Sequence, residues 1–66
     1  MVEYTNSQIR ELIREYIHSE RDRKILYRRL VDGITFERLA EEFQLSVRQT
    51  KTIVSKNEAI LFRKMH

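Results

Sequence analysis

The chain has 66 residues, 41% apolar and 35% charged, the proportions of one small globular domain rather than of a disordered tail or a membrane protein. It contains no cysteine, no proline and one glycine, which excludes a disulfide framework and thiolate chemistry and disfavours a strand-rich domain built on tight turns. The net charge of +3 is unevenly spread: residues 1–43 carry eight basic and nine acidic side chains, whereas the remainder carries five basic residues against Glu58 alone.

A helix is predicted from about Asn6 to Ile17, because Ile9, Leu12, Ile13, Tyr16 and Ile17 form one apolar stripe. Thr5 and Gln8 have capping-box spacing, with Asn6 and Ser7 as competing caps. His18 and Ser19 end this N-terminal helix, which takes up about residues 6–18. Ser19 then caps a second helix that turns Ile25, Leu26 and Leu30 inward and stops at Asp32-Gly33. Thr35 is the expected cap of a third helix, only about two turns long, that carries Phe36, Leu39, Ala40 and Phe43. Gln44-Leu45 interrupts it, and Ser46 with Gln49 opens a fourth helix through a second capping box. No breaker follows, so this helix runs from Val47 to about Arg63. The whole chain, 1–66, is expected to be a single all-α domain, a bundle of four helices or, with one subdivided, five.

A two-turn helix, a tight turn and a longer basic helix force a steep crossing, and the small Ala40 lets the two backbones approach. Phe36, Leu39 and Phe43 on one side, with Leu45, Val47, Ile53 and Val54 on the other, supply a shared core. This is the pattern of a DNA-binding helix-turn-helix spanning about 34–56, although an ordinary helical corner in a bundle would share it. The outward chemistry tips the balance. Ser46, Arg48, Gln49, Lys51, Thr52, Ser55 and Lys56 face away from the core, and no carboxylate lies between Gln44 and Asn57. Arg pairs with guanine and Gln with adenine, Ser and Thr serve base or phosphate, and Lys51 and Lys56 suit phosphates. A solvated face with no ligand is the plainer account of such a charge run.

Arg21 to Leu26, Asp32 to Phe43 and Leu45 to Lys51 together resemble region four of bacterial sigma factors, and equally the helix-turn-helix domains of LuxR-type regulators. The resemblance covers about Ser19 to Ser55, and small sigma-like proteins of phages and mobile elements are the nearest type. It implies a domain whose fourth helix reads a promoter-like site in double-stranded DNA, with RNA polymerase as a further partner. It also implies Thr35 and Arg38 beside phosphates, and Arg48, Gln49 and Thr52 beside base edges. Three positions depart from the family. Gln44 replaces the turn glycine, so the turn is expected to adopt a conformation that a side chain tolerates at some cost. Thr50 replaces an apolar residue and is expected to loosen the core, and Arg28 also stands where relatives are apolar.

Ala59 to Phe62 are four consecutive apolar residues, the longest such run, far short of a membrane span. Val47, Val54 and Leu61 continue the core face, as do Ile53 and Ile60. Phe62 and Met65 face elsewhere, and are expected to meet either the Ile9–Ile17 stripe or a second subunit. Ile60, Phe62 and Met65 are accordingly the candidate dimer contacts, and the chain is either a monomer or a homodimer. No signal-peptide or lipidation pattern is visible, so the expectation is a cytoplasmic, nucleoid-associated protein.

An enzyme is not expected. His18 and His66 have no nucleophile or Cys partner, no Gly-rich phosphate loop exists, and no metal-ligand spacing occurs, so neither a cofactor nor a metal is implied. Glu41 and Glu42 diverge on a helix, while Glu15, Glu20 and Asp22 suit exposed pairs with nearby Arg. The competing function is a protein-interaction adaptor that binds RNA polymerase, or an acidic partner, without reading DNA. Membrane-surface binding by the Phe62–Met65 end is a weaker alternative, because no long amphipathic excess accompanies it.

Overall fold

The computed structural model describes Tyr4–Lys64, and these residues form an all-α bundle. Helix α1 covers Asn6–Tyr16, and Thr5 wins the competition for its cap. The Gln8 N–H donates to Thr5 Oγ1 at 3.1 Å while the Thr5 N–H donates to Gln8 Oε1 at 2.8 Å, so two otherwise orphaned donors are satisfied reciprocally. At the other end Ile17 turns extended, and the last carbonyls find a partner outside the helix. The Arg23 guanidinium donates through Nη2 to the Arg14 carbonyl at 2.7 Å and through Nε to the Ile17 carbonyl.

Helix α2, Glu20–Leu26, starts on Ser19, whose Oγ accepts from the Asp22 N–H at 3.3 Å. It runs without a break into a π-helical turn, Tyr27–Val31, in which the Asp32 N–H reaches back to the Tyr27 carbonyl at 3.2 Å. Gly33, at φ 71°, then lets the Ile34 N–H close on the Arg28 carbonyl at 3.0 Å. Helix α3, Phe36–Phe43, is capped by Thr35, whose Oγ1 accepts from the Arg38 N–H at 3.3 Å. Helix α4 occupies Val47–Lys64.

Gln44 ends α3 in the left-handed conformation, φ 55° and ψ 46°. This is a conformation that a side chain tolerates only at some cost, as expected for a turn without glycine. The turn keeps the geometry glycine would provide, and the Leu45 N–H caps the Ala40 carbonyl at 2.9 Å.

The core comprises Ile13 and Ile17 of α1 and its end, Ile25 and Leu26 of α2, Leu39 of α3, and Val54 and Leu61 of α4. Along α4 the buried stripe is Thr50, Val54, Asn57 and Leu61, at the spacing of one helix face. Thr50 does not loosen the packing. It is fully buried, and its Oγ1 donates to the Ser46 carbonyl at 2.9 Å, so the hydroxyl is carried into the core with its partner. Arg28 stays at the surface, where it bonds Asp32 and Glu42.

The C-terminal apolar run splits. Leu61 is buried, and Ile60 packs half-buried against the chain's own core. Phe62 is 56% exposed and does not join the α1 stripe. The cause is geometric, since on a helix consecutive residues point about 100° apart and Leu61 already takes the inward direction. Met65 lies outside the described residues. No helix among the described residues is long and apolar enough to cross a membrane.

Candidate nucleic-acid interface

Ser46, Arg48, Gln49, Lys51, Thr52, Ser55 and Lys56 are all exposed, as are Thr35 and Arg38. Their side chains do not form one uniform face. The Ser46–Gln49 capping box is complete: the Gln49 N–H donates to Ser46 Oγ at 3.0 Å and the Ser46 N–H donates to Gln49 Oε1 at 3.0 Å. That box starts α4 cleanly, but it holds the Gln49 amide against its own backbone. Two-point recognition of adenine requires the same oxygen, so Gln49 can present both its groups only by giving up the cap. The Thr52 hydroxyl donates to the Arg48 carbonyl at 3.0 Å and keeps only its acceptor character for a ligand. Among the described residues the Arg48 side chain has no such commitment.

Lys51 turns toward α3. Its Nζ lies 5.7 Å from the centre of the Phe36 ring, and the Arg29 guanidinium lies over the same ring at 4.2 Å. Two cations from different elements thus gather on one aromatic side chain, next to the Thr35 cap of α3. Arg29 is anchored there by a hydrogen bond from Nη1 to the Ile34 carbonyl at 3.1 Å. Arg38 is one helical turn from Glu42, which shares its field.

The opposite flank of α4 holds a residue that the exposed-face pattern did not single out. Arg21 of α2 joins Leu45, Arg48, Gln49, Thr52 and Ile53 around an open hollow of about 350 Å³. The Arg21 guanidinium bonds Asp22 Oδ1 from Nε at 3.3 Å and from Nη2 at 3.2 Å. These bonds are long enough to orient the group without enclosing it, and the side chain is 56% exposed. Neither Arg21 nor Arg29 carries a local signal, because each reaches the interface only through the packing of α2 and its π-turn against α3 and α4.

Three acidic side chains, Asp22, Asp32 and Glu42, are paired with arginine, while Glu37 is exposed in the first turn of α3 between Thr35 and Arg38. Among the described residues the ion pairs are Arg21–Asp22, Arg28–Asp32 and Arg28–Glu42, so Glu15 and Glu20 make none of the exposed pairs expected of them. The hydrogen bond from Arg28 holds the Glu42 carboxyl below its usual range, against the opposing effect of desolvation. Arg28 is in turn held more firmly protonated, chiefly by its bonds to Glu42 and then Asp32. No group of three or more His, Asp or Glu side chains among the described residues is arranged to hold a metal ion. Comparison with protein-family models, curated proteins and solved structures finds no match to this chain.

Proposed function

We propose that the chain is a sequence-specific regulator of transcription that binds double-stranded DNA, resembling sigma region four. On this proposal the first turns of α4 enter the major groove as the second helix of a helix-turn-helix. The observation that carries it is the pairing of Arg21 and Arg48 across a hollow at the start of a helix whose exposed side has no carboxylate before Glu58. Arg48 is the base-reading residue, since its guanidinium is unspent and suits guanine. Arg21, Lys51, Arg29, Arg38 and Thr35 serve phosphates on the two flanks, and Lys56 extends the phosphate contact along α4. Gln49, Thr52 and Ser46 contribute chiefly through the cap and as hydrogen-bond acceptors, and Ser55 lies one turn beyond Lys51.

The test is fluorescence anisotropy on duplex DNA as salt is raised. If about 4–6 phosphates are contacted, log K falls against log salt with a slope of roughly −4 to −5. Arg48→Ala costs about 1–3 kcal/mol on a selected site and relaxes one base pair, whereas Lys51→Ala weakens all sequences alike. Identical behaviour of both variants on selected and random DNA would leave backbone binding and remove base reading.

The adaptor reading draws on a separate observation: Gln49 and the Thr52 donor are committed internally, while Phe62 is exposed on the far half of α4. On this reading the bundle binds RNA polymerase, or its basic face binds an acidic protein. Absence of duplex binding even at low salt, with capture of purified polymerase, would favour it over the DNA reading.

A further inference from the structure

Asn57 is 4% exposed, and unlike Thr50 it does not keep its hydrogen bonds to its own helix. Its Nδ2 donates to the Ile53 carbonyl at 2.8 Å, which fixes the amide on α4, and also to Asp22 Oδ2 on α2 at 3.1 Å. Asp22 is itself largely covered, at 15% side-chain exposure, and its backbone N–H is held by Ser19. One carboxylate oxygen therefore faces the buried amide, and the other faces the Arg21 guanidinium. A chain of hydrogen bonds runs from the core of α4 to a cation at the rim of the hollow shared with Arg48.

The carboxylate is what gives this chain a direction. Without Asn57, Asp22 Oδ2 would have no partner in a confined setting, and the side chain would rotate to seek water. Its other oxygen would move with it, and Arg21 would lose the anchor that limits its rotamers. A long, flexible Arg that is already oriented loses less entropy when it binds an anion than one that must first be ordered. The anchor leaves other N–H groups of the guanidinium free to donate.

We propose that Asn57 is a positioning residue for polyanion binding, acting through Asp22 to hold Arg21 where it and Arg48 can grip a backbone phosphate of the duplex. The inference rests on the DNA reading and adds a buried residue that touches no nucleic acid to the binding machinery.

The experiment combines two measurements on the full chain. Side-chain heteronuclear NOE at Arg21 Nε reports order in the free protein, and anisotropy on a random-sequence duplex reports affinity. Asn57→Ala should lower the NOE and weaken binding about three- to tenfold, with a shallower salt slope. In an Arg21→Ala background the same substitution should change affinity no further. Should Asn57→Ala fail to fold, Asn57→Leu carries the test, because it fills the site and still cannot bond Asp22. An equal loss of affinity with and without Arg21 would show that Asn57 acts through the fold alone and would overturn the proposal, as would an unchanged NOE. A wild-type chain that binds no duplex would sink the DNA reading, while the NOE comparison would still decide the Asn57–Asp22–Arg21 clamp.

Discussion

Replacing Gln44 by glycine should stabilise the protein. Gln44 occupies φ 55° and ψ 46°, where a residue with a Cβ is roughly 1–2 kcal/mol worse off than in the right-handed region. Glycine escapes that penalty, but it also frees the unfolded chain, which takes back about 0.5–1 kcal/mol. The exposed Gln44 side chain leaves little packing to lose, and the backbone N–H bonds to Ala40 and Glu41 are available to glycine as well. The net gain is about 0.5–1 kcal/mol, and in a domain of this size that raises the melting temperature by about 2–8 °C. Thermal circular dichroism, with urea unfolding as a second probe, measures it. Gln44→Ala is the control, because alanine keeps the left-handed strain and should give no comparable gain. A glycine variant no more stable than the alanine variant would refute the argument that the turn is strained by its side chain.

Other positions give further tests. Gly33 also has positive φ, 71°, and open space where a Cβ would stand, so Gly33→Ala should cost about 1 kcal/mol through the backbone alone; an unchanged urea midpoint would contradict this. Leu61→Ala should cost about 2–4 kcal/mol by opening the core, while Phe62→Ser one residue later should stay within about 0.5 kcal/mol. A concentration-dependent melting temperature abolished by Phe62→Ser would instead mean that a second copy covers that ring. Because the Arg28 hydrogen bond holds the Glu42 carboxyl below its ordinary range, the folded state takes up that proton less readily than the unfolded one. The stabilisation is present above the unfolded value and is lost as pH falls through the folded value. Glu42→Gln should therefore flatten the decline in urea midpoint from about pH 6 to 2.5, and equal declines would refute the linkage.

The helix starts were legible because a cap is a local arrangement. Thr5 with Gln8, Thr35 with the Arg38 N–H, and Ser46 with Gln49 each close over three residues, a distance the sequence displays directly. The inward stripe of α1 was equally plain from its period. What escaped depends on residues far apart in the chain. The Arg23 cap of α1 spans nine residues to Arg14, and Asn57 meets Asp22 across thirty-five. The sequence shows that Thr50 replaces an apolar residue but not that its hydroxyl bonds the Ser46 carbonyl one turn back, which lets it sit fully buried. The candidate interface was legible as a list of exposed positions on α4. Its division into two flanks was not, since Arg21 and Arg29 arrive from another helix and Lys51 is drawn aside by an aromatic ring.

The π-turn at Tyr27–Val31 bears on how this chain tolerates change in length. A π-turn accommodates one residue more than an α-helical turn over nearly the same path. Deleting a residue there would let the backbone close into regular α-helix, with no hydrogen bond obviously lost. Because the extra residue is absorbed within that one turn, Ile25 and Leu26 before it and Ile34 after it would keep nearly their present directions, and Arg21 would stay beside Arg48. A deletion in the regular turns of α2 would instead rotate one side by about 100° against the other and swing core residues outward. The π-turn is thus the place in this helix where the chain can lose a residue at the least cost in phase.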